Sequence, residues 1–200
     1  MTADTFFKAL FLIDLVAAEV IRFPHRMRNK QERRQKKISV SHVTPLQLSV
    51  DMLAFLGTEI VPLVYVFTPW LSFADYDLPA WTGGIGAGTF AVVLWLLWMA
   101  HAALGRNWSP TVEITEGQEL VTQGIYQYVR HPIYTAFLLW AVAQALLLHN
   151  WLVGLAGLGS FLLVYRVRVP QEERMMLEHF GEAYRSYMNR TGGIIPRVGR

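Results

Sequence analysis

Blocks of apolar residues too long to bury inside a soluble domain constrain this chain more than any other feature. Trp81 to Leu104 holds no acidic or basic residue except His101, and it exceeds the roughly 20 helical residues that cross about 30 Å of hydrocarbon. Further blocks run from Phe6 to Ile21, Leu46 to Trp70, Pro132 to Leu148 and Trp151 to Tyr165. With 53% hydrophobic and 16% charged residues over 200 positions, the chain is too apolar for disorder and too poor in charge for an ordinary soluble domain. It reads as an integral membrane protein. The net charge of +3 does not point to nucleic acid, because the basic residues sit in the connections beside the apolar blocks, as positive-inside topology requires. No cysteine is present, which removes disulfides, thiolate metal sites and a thiol nucleophile. No metal is expected.

Membrane helices are expected over 5–22, 45–70, 81–105, 132–149 and 150–167. The fold class is then all-α, an integral membrane bundle of about five transmembrane helices in a single domain, 1–200. Lys8, Asp14 and Glu19 interrupt the first block, which therefore reads as a retained helix and not a cleaved signal. The stretch RFPHRMRNKQERRQKK, Arg22 to Lys37, is densely basic and without apolar period, as in a cytoplasmic loop or short helix beside anionic headgroups. Asp51, Glu59 and Pro62 fall inside the second block, where the proline predicts a kink. Gly84 and Gly88 within GGIGAG have the spacing that seats a neighbouring helix; with no strand before it, the run is not a phosphate loop. Only His149 and Asn150 separate the last two blocks, which forces a tight helical hairpin.

LSFADYDLPA, after the second block, is acidic and free of Lys and Arg, and so belongs opposite the basic stretch. Counting crossings puts the N terminus outside and all three Arg/Lys-rich segments in the cytoplasm, a multi-pass topology with the active site on the cytoplasmic side. Segments 106–131 and 168–200 are cytosolic in this scheme. In the second of these, Pro170 suits the first turn of a helix, Glu172 and Glu173 suit its positive end, and Met176, Leu177, Phe180, Tyr184 and Tyr187 recur at helical spacing until Gly192 and Gly193 stop it. This predicts an amphipathic cytosolic helix that lids the membrane domain.

Unusual polar residues concentrate in EGQELVTQGIYQYVRHPIY, Glu116 to Tyr134, and YRVRVPQEERMMLEHFGEAYRSYMNRTG, Tyr165 to Gly192. The hairpin returns both to one membrane face, so Arg130, His131 and Tyr134 meet Arg166, Arg168 and Glu172. Taken singly, each has a plainer reading: Arg130 as a headgroup anchor, Pro132 as a helix start, Tyr126 and Tyr134 as interfacial aromatics, Arg168 with Glu172 as an i, i+4 pair, and Glu173 as a helix-dipole partner. Asp14, Asp51 and Glu59 are costly at membrane depth and are expected to face the bundle interior in interhelical hydrogen bonds, or else to line a substrate route.

Together, LVTQGIYQYVRHPIY, the hairpin and RVPQEERMMLEHFGEAYRSYMNRTG resemble the isoprenylcysteine carboxyl methyltransferase family, most closely its short prokaryotic members. The resemblance covers about the last hundred residues; the first half matches in hydropathy. It implies S-adenosyl-L-methionine held by the two cytosolic segments, with cofactor contacts at Gln118, Glu119, Leu120, Val121, Tyr126, His131, Pro132, Ile133, Tyr134 and Glu172. It also implies a substrate-binding and catalytic Arg168 contacting a carboxylate, with Glu172 beside it in the catalytic group. The partners implied are the bilayer and a lipid or prenylated small-molecule or protein acceptor, whose α-carboxylate becomes a methyl ester. Gln118 stands where the family's HxLV string commonly has His, so proton transfer at that position is in doubt.

The residues agree with this chemistry in their own right. No βαβ pattern or glycine fingerprint serves a Rossmann-type cofactor site. A carboxylate acceptor is already ionised and needs no general base, only desolvation and alignment, and a guanidinium offers it two parallel donors. Three other classes stay open on sequence alone: a lipid N-methyltransferase, a nicotinamide-dependent membrane reductase and a non-catalytic lipid-binding protein.

Overall fold

A computed structural model describes residues 2–35, 38–41, 44–111, 113–115 and 117–197. Lys36 and Lys37, which end the basic stretch, and Glu116, which opens the first C-terminal string, lie outside the described residues. The first apolar block and the basic stretch as far as Gln35 form one helix, α1, Ala3–Gln35, in place of a helix ending near residue 22 followed by a separate loop or short helix. Arg22 and Arg26 extend it, since both reach back to Glu19 at 2.7 Å along one helix face.

Helix α2, Pro45–Phe55, starts on Thr44, whose side chain accepts from the Gln47 amide at 3.2 Å. It runs through a π-helical turn, Leu56–Ile60, into α3, Val61–Phe67. Pro62 has no N–H to give the preceding turn, and the wider π turn directly before it accommodates the ring; this is the form the expected kink takes. Gly57 in that turn packs against the helix that carries Ala156 and Ser160. A Cβ there would fall 2.1 Å from Ser160 Oγ and 2.6 Å from the Ala156 carbonyl oxygen. Gly57→Val should therefore destabilise the protein by about 3 kcal/mol through overpacking. Thermal unfolding in detergent checks this, and a melting temperature equal to the parent's would refute the contact.

Helix α4, Ala80–Leu104, lies against α1 and α5, Pro132–Leu148. Its packing glycines are Gly83, against Phe7, and Gly86, against Leu146 and Leu147, whereas a Cβ added at Gly84 or Gly88 would meet open space. The correction follows from helical phase: Gly83, Gly86, Phe90, Val93 and Leu97 share the buried face, and Gly84 and Gly88 do not. The main core, including Phe11, Phe90, Leu97, Trp140, Leu147 and Val153, fills the space between these helices and the sixth.

Helix α6, Trp151–Phe180, follows His149 in the left-handed region (φ 43) and Asn150, which caps it by accepting from the Val153 amide at 3.1 Å. It continues through Pro170 without a break, so the tail does not begin a new helix at that proline. The break comes at Gly181 (φ 54), and α7, Glu182–Arg190, ends just before Gly192. A positive φ is a conformation glycine adopts without strain, which is why the tail is two pieces and not one amphipathic helix. A two-stranded antiparallel sheet, β1 Ile38–Ser41 with β2 Glu113–Thr115, also departs from the all-α expectation. Short β-branched runs pair where the connection after α4 passes the end of α1.

Among the described residues, three helices are long and apolar enough to cross a membrane: Pro45–Phe67, Ala80–Asn107 and Trp151–Phe180; Pro132–Leu148 is apolar but shorter. Ile13, Val16, Val20, Trp95, Trp98 and Leu155 are exposed on the outside of the bundle, the inversion of polarity that a lipid solvent demands.

Candidate active site

At the base of the α5–α6 hairpin the C-terminal segment returns and is bound. The amides of Arg130 and His131 donate to the Gly192 and Gly193 carbonyls at 2.8 and 3.0 Å, and Thr135 Oγ1 donates to the Ile194 carbonyl at 2.7 Å. The Arg130 guanidinium donates to the carbonyls of Met188 and Thr191, and through Nε and Nη2 to Glu173 Oε1 at 3.2 and 2.8 Å. His131 Nε2 lies 3.0 Å from that same oxygen. Arg130 is thus not a free headgroup anchor, nor is Glu173 merely a helix-dipole partner: together they clamp the tail onto the hairpin. Tyr187 completes the closure by donating to the Tyr126 carbonyl at 2.5 Å. Burial pushes the Tyr187 phenol up to about 12 and the Tyr126 phenol well above its ordinary range, so both are neutral near pH 7.

One turn away stands a second cluster. Tyr134 Oη donates to Glu172 Oε1 at 2.6 Å, and Arg168 Nη2 approaches that oxygen at 3.4 Å. Arg168 Nη1 donates to Asp51 Oδ1 at 3.0 Å and Nη2 to the Pro110 carbonyl at 2.8 Å, while the buried Nε has no partner among the described residues. The buried guanidinium is therefore oriented from three directions: α2, the connection after α4, and α6. Glu172 Oε2 lies 3.9 Å from His131 Nδ1 and has no hydrogen bond among the described residues.

Both clusters line one cavity of about 440 Å³, within the usual range for small-molecule sites. Gln118, Glu119, Leu120, Val121, Tyr126, His131, Pro132, Ile133, Tyr134, Arg168 and Glu172 all border it. Its wall also has an apolar part, Ala54, Phe55, Phe137, Phe161 and Val164. Met175 and Tyr184 of the second string also border it, as do Asp51, Glu59, Arg22, Arg26, His101 and Trp108, which lie outside both strings. Asp51 and Glu59 carried the one available signal, their cost at membrane depth. Asp14 is buried elsewhere on α1 with Oδ2 unpartnered; nothing in the structure explains it.

Fold and site define a helical membrane protein with a cavity of mixed polar and apolar lining at the base of the hairpin. Within that class, residues 86–178 match the isoprenylcysteine carboxyl methyltransferase (ICMT) family model, and the likeness read from the paired strings is shown over that region. A protein-S-isoprenylcysteine O-methyltransferase of Schizosaccharomyces pombe is 38% identical over 101 residues, 50% of this chain and 43% of that protein. Protein-S-isoprenylcysteine O-methyltransferase B of Arabidopsis thaliana is 33% identical over 96 residues, 47% of this chain and 49% of the relative. A solved structure of the eukaryotic intramembrane Ras methyltransferase ICMT superposes with a TM-score of 0.53 at 26% identity, covering 80% of this chain and 55% of that one. The chain spans about half the length of these relatives.

Proposed function

We propose that the cavity binds S-adenosylmethionine and an ionised lipid acid of the prenylcysteine type, and that the protein methylates the acid's α-carboxylate within the membrane. In this reading α1 and α5 complete five crossings, the N terminus is outside, and the cavity opens near the cytoplasmic face. The observation that carries it is the convergence of Arg168, Glu172 and Tyr134 with 118–121 on one cavity that continues into an apolar wall. A sulfonium donor and an amphipathic acid need such a combination.

The lining fits the donor. Glu172 has one carboxylate oxygen engaged by Tyr134 and Arg168 and the other without a hydrogen bond among the described residues, a place for an ammonium group. Tyr126, His131, Pro132, Ile133 and Tyr134 border the same space, and the chain at Gln118, Glu119, Leu120 and Val121 closes it. When bound, S-adenosylmethionine supplies an electrophilic methyl group on a sulfonium.

The protein's part is alignment and desolvation. Arg168 offers the acceptor carboxylate its Nη2 donor, whose contact to Glu172 is long at 3.4 Å. Asp51 and Pro110 keep the guanidinium from rotating away. Phe137, Phe161 and Val164 keep water from the carboxylate, which strengthens each charged contact, and their apolar surface suits a lipid chain worth about 0.8 kcal/mol per buried CH₂.

Calorimetric titration with S-adenosylhomocysteine tests the donor site: saturable binding is expected in the parent and its loss in Glu172→Gln. Absence of binding to the parent would overturn the reading. Tyr134→Phe removes only the 2.6 Å donor to Glu172 and should lower methyl transfer about tenfold, the size expected for one charge-assisted hydrogen bond. An unchanged rate would deny that contact a role.

A further inference from the structure

His101, in the last turn of α4, is buried and borders the cavity. Its Nδ1 lies 2.7 Å from the Leu97 carbonyl oxygen. A carbonyl only accepts, so Nδ1 carries a proton and Nε2 of the neutral ring is left with a lone pair. That nitrogen has no hydrogen-bond partner among the described residues, yet it is not among the buried side-chain atoms sealed off without one. It is the open acceptor of a ring otherwise enclosed by protein.

The surroundings of His101 suit a flat ligand. The Trp108 ring, also on the cavity wall, stands 5.1 Å from the His101 ring, centroid to centroid. Trp108 is held on both sides: Asn29 Nδ2 on α1 donates to its carbonyl at 3.0 Å, and its neighbour Asn107 accepts from the Glu119 amide at 3.0 Å. The second bond ties this aromatic corner to 118–121. His25, with its ring 5.0 Å from that of His101, backs the group from α1. An indole beside a lone-pair acceptor is matched to a planar nitrogen heterocycle carrying an exocyclic amine, since the amine donates where the imidazole accepts and the ring packs on the indole.

Resting on the reading of this cavity as a methyl-donor site, we propose that His101 Nε2 accepts a hydrogen bond from the exocyclic amine of the donor's adenine, with Trp108 packed against the base. His101 is then the residue that selects adenine. Hypoxanthine carries a carbonyl oxygen in place of the amine, which would set two acceptors against each other, and a site built around one hydrogen bond rejects a ligand unable to make it.

The test is calorimetry on the full chain in detergent with S-adenosylhomocysteine and S-inosylhomocysteine. The parent should prefer the adenosyl compound by at least about tenfold, the scale of one lost hydrogen bond with an unpaired partner. His101→Phe keeps a ring of similar size without the acceptor and should bring the preference close to unity. His101→Gln restores an acceptor oxygen and should recover part of it, and Trp108→Leu should weaken both compounds alike while leaving the preference intact. Equal binding of both compounds by the parent, or an undiminished preference in His101→Phe, overturns the assignment of His101 while sparing the donor site. Binding of neither compound overturns the donor-site reading and this inference with it.

Discussion

Arg168→Lys is expected to lower methyl transfer about a thousandfold, roughly 4 kcal/mol of transition-state stabilisation, while the protein remains folded. Lysine keeps a positive charge near Asp51 and Glu172, so the two carboxylates are not left unpaired. What it lacks is the planar fork. In the structure that fork is held by Asp51 and the Pro110 carbonyl, and a single ammonium cannot hold those partners and also present a fixed donor to an acceptor. Arg168→Ala is the contrasting variant. It leaves two carboxylates at a largely buried position without their cation, which should cost about 3–5 kcal/mol of stability in addition to activity. Initial rates with labelled donor, read beside thermal unfolding, separate the two effects. A lysine variant within tenfold of the parent would mean that the guanidinium does not orient the acceptor.

The largest loss of stability is expected at the tail clamp. Arg130→Met removes the guanidinium that joins Glu173 to the carbonyls of Met188 and Thr191. It strands a carboxylate whose remaining partner is His131 and should destabilise the tail by about 3–5 kcal/mol. The effect should be visible first as protease cleavage between α7 and the C-terminal residues, because Gly192 and Gly193 lose the geometry that pairs them with Arg130 and His131. Arg130→Met with Glu173→Gln should lose less than the sum of the two single changes, as coupled partners do. Strict additivity would show that the ion pair is incidental.

Which parts of this architecture can be read from the chain follows from the range of the forces involved. The apolar blocks at Trp81 to Leu104 and Trp151 to Tyr165 announce helices because solvation by lipid acts on every residue in them. Convergence of Tyr134 with Glu172 is also legible, since two residues between the hairpin arms leave only one way to return. The continuation of α6 through Pro170 is not. Whether a proline starts a helix or sits within one depends on packing around the freed carbonyl, and the stop at Gly181 carries no local mark beyond the glycine itself. Asp51, His101 and Trp108 join the cavity from α2, α4 and the following connection, and no spacing in sequence encodes contacts made across helices. Arg130 and Glu173 look like an anchor and a dipole partner until Arg130 is seen to hold Glu173 and the tail carbonyls at once.

The proposed methylation of a lipid-phase acid on oxygen is tested most directly by the chemistry of the product. Membranes holding the parent protein, supplied with methyl-labelled S-adenosylmethionine and N-acetyl-S-farnesylcysteine, should accumulate lipid-soluble label that mild base releases as volatile methanol, and Arg168→Lys should accumulate almost none. Label that stays with the lipid through base treatment, or the absence of any transferred label, would contradict the account.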